Sequence, residues 1–151
     1  MKDLTSAVKL FLRALHEPLL TKHNRKLFLA AALTSDSTLL KKHVRDLPIA
    51  NRDTLCFMML HLQRLAVNER ETKMNLQNFA TSFGDTFYGS DETIEISDVN
   101  NFALVNLQLL SLETSFYEET LQLTIDKLLF GRETISSSDL TIKRDAINKN
   151  L

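Results

Sequence analysis

Few side chains in this sequence are placed to do chemistry beyond packing. Two cations, Lys9 and Arg13, stand four residues apart in "VKLFLRALHEPLL", residues 8–20. At that spacing they are neighbours on one helix face and offer adjacent positive charge to whatever meets it. A polar trio, Asn78 with Thr81 and Ser82, recurs in the same way in "KMNLQNFATSFGDTF". The histidines, His16, His23, His43 and His61, include no pair at the i, i+4 spacing of a helical zinc site. The one cysteine, Cys56, has no second thiol to pair with, and its run "TLCFMML" suits a buried, inert thiol in a reducing compartment. No metal and no cofactor are therefore expected.

The elements that must carry these residues read as helices. Only 3 Gly and 2 Pro occur in 151 residues, too few turn residues for a many-stranded fold, so the expected class is all-α. A first helix is predicted over residues 3–16, with Leu4, Val8, Phe11 and Leu15 as its core face and Glu17-Pro18 as its stop. With Leu4 at zero, Lys9 and Arg13 fall at roughly 140° and 180°, away from that face. Further helices are predicted over 22–33 and from Ser37, the latter carrying Leu40, Val44 and Leu47 to a break at Pro48. Next comes a helix capped by Asn51, whose stripe is Leu55, Met58, Met59, Leu62 and Ala66, widened by Phe57 and Leu60. A short helix capped by Asn75 and ended by a left-handed Gly84 puts Leu76, Phe79, Ala80 and Phe83 inward and Asn78, Thr81 and Ser82 outward. After the acidic loop "YGSDETIEISD", helices over 98–112 and 115–129 complete the ordered part. Residues 1–125 are read as the helical domain and 126–151 as a polar tail, either weakly ordered or a lone helix.

A net charge of −1 lends no support to nucleic-acid binding, and no apolar run approaches the ~18 residues of a membrane span. The N-terminus is too polar for a signal peptide, which points to a soluble intracellular protein. On periodicity alone, Lys9, Arg13 and Asn78 read as solvated surface residues.

Three blocks say more. "VKLFLRALHEPLLT", "LPIANRDTLCFMMLHLQRLA" and "KMNLQNFATSFGDTF" resemble, in order and spacing, the Rho GTPase-activating (RhoGAP) domain, whose patterns run approximately LKxFLRxLPEPLL, LPxxNxxTLxxLxxHLxxV and KMxxxNLAxxFGPxL. The middle block is most similar to the Rac/Cdc42-directed activators of the centralspindlin type and less so to the chimaerins. The resemblance covers residues 3–112. It implies a helical bundle and a partner, a GTP-bound Rho-family small GTPase, met in the cytoplasm, with cytoskeletal or spindle-midzone association arising elsewhere in a longer protein. Lys9 matches the family lysine that contacts the GTPase near its switch regions. Arg13 matches the arginine that supports the catalytic loop and the GTPase contact, and Asn78 the asparagine near the nucleotide site. Lys73 and Met74 match a pair read as positioning the helix that follows.

The chain also departs from the family pattern. His16 and Asp85 stand where the patterns have proline. The family's arginine finger, in a motif like G-[IVL]-[FY]-R-x-S-G, belongs before the first helix here, and no match occurs in the 151 residues; Gly131-Arg132 has the wrong spacing. Such an arginine contributes a factor of about 10³–10⁵. The resemblance therefore implies an activator whose finger segment is absent from this chain, with little catalysis by these residues and an exposed apolar face where core-forming residues would precede Met1. A non-catalytic GTPase-binding module and a helical scaffold without a GTPase role are the alternatives.

Overall fold

Short polar signals set most of the helix boundaries. Asp36 caps one helix, its carboxylate accepting from Leu39 N at 2.9 Å, and Asn75 caps another by accepting from Asn78 N at 2.9 Å. Leu47, forced extended by the proline after it, separates two more. The computed structural model describes residues 2–89 and 96–130. Among these residues the order is α1 (Lys2–Arg13), α2 (Arg25–Leu33), α3 (Ser37–Asp46), α4 (Ile49–Val67), α5 (Glu69–Thr72), α6 (Leu76–Ser82), α7 (Gly84–Tyr88), α8 (Ile96–Leu110) and α9 (Thr114–Phe130), with no strand. The all-α expectation holds. Among the described residues no helix is long and apolar enough to cross a membrane.

The chain forms two units, residues 1–121 and 122–151. Of the second, only the end of α9 is described, where Gln122 donates to Asp126 at 2.9 Å. The expected tail over 126–151 lies outside the described residues from 131 onward, as do residues 90–95 of the acidic loop.

The first unit is built on α4. Leu55, Cys56 and Met59 are wholly buried, and Leu62 is nearly so. They meet Phe28 of α2, Leu40 and Val44 of α3, and Val105 and Leu109 of α8 in one apolar cluster. Each such side chain contributes about 1.5–3 kcal/mol by leaving water. Polar side chains close the helix ends inside this core. Gln63 of α4 donates to Leu110 O at 2.9 Å and Leu112 O at 2.7 Å, and the buried Tyr117 hydroxyl donates to Leu109 O at 2.6 Å. The last carbonyls of α8, and that of Leu112 just beyond it, thereby gain side-chain partners.

Several expectations need correction. Asn51 is not a cap: α4 begins at Ile49, and the Asn51 amide instead donates to Pro18 O at 3.1 Å. Gly84 is not left-handed but opens α7, and the glycine that needs its freedom is Gly89, at φ +77 with Pro18 Cγ 2.5 Å from where a Cβ would stand. Phe57 does not widen the core stripe. It is 64% exposed and lies with Thr54, His61 and Arg64 on a solvent stripe along α4. Phe11 is 66% exposed, whereas Leu12 is buried. The covered stripe of this segment runs through half-buried Val8, buried Leu12 and half-buried Leu15, turned by roughly 40° toward Lys9. The reason is tertiary: α1 packs on α6 and α7, which approach from the lysine side.

Candidate functional site

The segment after α1 decides where its cations stand. Pro18, Leu19 and Leu20 are buried, and Leu20 N donates to Phe87 O at 3.2 Å. The Asn51 amide holds Pro18 O from the other side. These bonds tie the end of α1 to α4 and α7 and lay the Lys9–Arg13 face against the α6–α7 junction.

Lys9 is consequently half-buried, not directed away from the core. Its ammonium donates to Ser82 Oγ and lies 4.7 Å from the centre of the Phe83 ring. A cation over an aromatic face gains about 0.5–1 kcal/mol at such a site. Burial, and then the nearby Arg13 charge, lower the Lys9 amine below its usual range, while Asp85 pulls it the other way. Arg13, one turn on, is 40% exposed. It is ion-paired to Asp85 of α7, its Nη2 standing 2.8 Å from both carboxylate oxygens. A half-exposed pair of this kind stabilises the fold by no more than about 1 kcal/mol.

Asn78 sits in the first turn of α6, exposed, with its backbone N–H taken by the Asn75 cap. It lies one turn before Ser82 on the same helix face. The Lys9–Ser82 bond therefore brings Lys9, Arg13 and Asn78 together on one side of the molecule. α6 is held there from behind: Phe79 and Ala80 are buried, and Asn106 of α8 donates to Ala80 O at 3.3 Å. At the start of α6 the chain is turned by Lys73, left-handed at φ 58, while the Thr72 hydroxyl accepts from Met74 N at 3.3 Å.

Beside Lys9 opens a cleft of about 640 Å³ lined by Thr5, Glu71, Thr72 and Phe79 among others, and an adjoining apolar one of about 310 Å³ runs past Val8, Phe57 and Phe83. The arrangement can grip: it offers cations, an amide and an apolar floor. Among the described residues no group of three or more His, Cys, Asp or Glu is placed to hold a metal ion. Sequence reading missed Ser82 and Phe83 as the seat of Lys9 and Asp85 as the partner of Arg13. The one available signal was Asp85 replacing a patterned proline.

Comparison with known proteins shows the family of the chain. The RhoGAP domain model matches residues 1–92. The chain is similar to the mouse (Mus musculus) Rac GTPase-activating protein 1, 37% identical over 123 residues that cover 76% of this chain and 19% of that protein. It is also similar to mouse N-chimaerin, 32% identical over 102 residues, covering 65% and 22% respectively. The chain thus spans about a fifth of these curated relatives. Among solved structures, the BH domain from GRAF, the GTPase regulator associated with focal adhesion kinase, matches with a TM-score of 0.61 at 26% identity, over 78% of this chain and 64% of that one.

Proposed function

The chain belongs to the RhoGAP domain family, and from that premise we propose that it docks a GTP-bound Rho-family GTPase through the face of Lys9, Arg13 and Asn78, as part of a GTPase activator. Rac-type GTPases are the first candidates as partners, since one relative is named for Rac, and Cdc42-type GTPases are added from the resemblance of the middle sequence block. One observation supports the reading above the others. Three residues chosen from sequence, 69 positions apart at the extremes, are joined on one side of the fold by the Lys9–Ser82 contact and the shared face of α6.

In this reading Lys9 presents a positive charge to the switch side of the GTPase, and Asn78 offers an amide near its nucleotide site. Contacts of this kind hold the partner equally in ground and transition states, so they improve affinity and leave the hydrolytic barrier largely alone. The charge that develops on the transferred phosphoryl group needs a cation aimed at it. Lys9 is bound to Ser82 and Arg13 to Asp85, so neither stands free to be aimed at that group. These 151 residues on their own are expected to bind without accelerating hydrolysis appreciably. A cytoplasmic setting belongs to the same reading.

Binding of the chain to GTP-loaded Rac- and Cdc42-type proteins tests it, together with single-turnover GTP hydrolysis under excess chain. Weak binding is expected, reduced by Lys9→Ala or Asn78→Ala by roughly 1–3 kcal/mol each, with hydrolysis near the intrinsic rate. Thousandfold acceleration would refute the argument that docking and catalysis are separate here. Failure of the folded chain to bind any Rho-family GTPase would leave the scaffold alternative.

A further inference from the structure

We propose that Asp85 masks Arg13, so that this face meets an anionic partner surface with Lys9 as its free cation in place of a Lys–Arg pair, and that the residue at position 85 thereby sets how fast and how tightly the face docks. What the face docks on rests on the reading above; the masking is a property of this chain alone.

The geometry is direct. Both Asp85 oxygens lie 2.8 Å from the same guanidinium nitrogen of Arg13, across 72 residues of sequence. The carboxylate cannot drift away with its backbone. Asp85 O accepts from Gly89 N at 2.8 Å, and the next N–H, of Thr86, donates to Phe83 O at 3.1 Å, so α7 holds Asp85 beside α1. Among the described residues Lys9 shows no carboxylate within ion-pair distance, its ammonium being occupied by the neutral Ser82 hydroxyl and the Phe83 ring. Among the described residues, Lys9, Arg13 and Asp85 thus contribute one neutral pair and one positive charge to the face.

Charge on a docking face acts mainly through encounter: it speeds association with an oppositely charged surface, and salt screens it. A neutral pair adds little to that field. Because the pair is half-exposed and weak, removing the carboxylate frees the guanidinium without disturbing the core. A proline at 85, as in the family pattern that this chain resembles, would leave Arg13 without this partner. Arg13 is accordingly a latent docking residue whose strength is set from α7.

Two measurements on the intact chain test this, after thermal unfolding has shown that Asp85→Asn and Arg13→Gln fold. The first needs no partner. Phenylglyoxal modification of Arg13, followed by mass spectrometry of the peptide, is expected to be several-fold faster in Asp85→Asn than in the wild type. Equal rates would overturn the masking. The second is stopped-flow association with a Rac-type GTPase loaded with a non-hydrolysable GTP analogue, at low and physiological salt. Asp85→Asn is expected to associate about two- to fivefold faster at low salt, with a steeper salt dependence, and to have no such effect in the Arg13→Gln background. Association that is unchanged or slowed in Asp85→Asn would overturn the proposal, a slowing assigning Asp85 instead to holding Arg13 in its docking pose. If the wild-type chain binds no GTPase while the phenylglyoxal rates differ as expected, the docking reading fails and the masking stands.

Discussion

Asn75→Ala tests how a local cap supports the docking face. α6 is seven residues long, well below the ~12–15 at which a helix holds its shape alone. It stands because Phe79 and Ala80 are buried beneath it and because its first turn is capped. The Asn75 side chain accepts from Asn78 N at 2.9 Å, while its backbone oxygen takes Phe79 N at 3.0 Å. Alanine removes only the first of these bonds and leaves the Asn78 N–H unpaired at a helix start. The second Asn75 contact, to Glu69 at 3.5 Å on the surface, is too long to add much. The expected cost is therefore that of a lost cap, about 1 kcal/mol. In urea, with a slope of about 1–3 kcal/mol per molar for a small protein, the midpoint falls by roughly half a molar and the slope stays the same. Asn75→Asp is expected to restore stability, since aspartate caps as well and places negative charge at the positive end of the helix. If the proposed docking reading holds, GTPase binding is expected to follow the same order, because the frayed turn is the one that carries Asn78. Equal urea midpoints for the alanine and aspartate variants would refute the capping argument.

Met59→Asp places an unpaired carboxylate at a wholly buried position of α4, and the variant is expected to show no cooperative unfolding transition by circular dichroism. Tyr117→Phe removes the hydroxyl bond to Leu109 O, but that carbonyl still accepts from Leu112 N at 3.1 Å; the loss is expected near 1 kcal/mol, and thermal unfolding checks it. Alkaline pH is expected to weaken the fold through Cys56, whose thiol is pushed up to about 12 from 9.0, chiefly by burial. The unfolded thiol ionises first, so the stability that Cys56 contributes is complete below pH 9 and is lost between pH 9 and 12, by at most about 1.4 kcal/mol per pH unit. Urea midpoints from pH 8 to 11 are expected to fall less steeply in Cys56→Ala.

The sequence by itself determined the helical class, the family, the buried stripe of α4, the cap at Asn75 and the inward face of α6. Each is a local matter. Helical period, the side-chain chemistry of a cap and the wording of short blocks act over a few residues and are legible in a linear string. Where α1 points its charges was not legible. Counting from Leu4 put Phe11 inward and Lys9 outward, whereas the fold leaves Phe11 exposed and lays Lys9 on Phe83. Amphipathic period defines a stripe only to within the width of the apolar arc. The neighbour that arrives from elsewhere in the chain chooses which edge of that arc is covered, and a long lysine stem tolerates the covered edge because its charged end can still find Ser82. The start of α4 moved for a related reason, since Asn51 was drawn to the Pro18 carbonyl, a partner 33 residues away. The Arg13–Asp85 pair is the clearest case. Nothing local marks either residue as the other's partner, and only the packing of α7 against α1, set by the buried Pro18–Leu20 segment and Gly89, brings opposite charges to 2.8 Å.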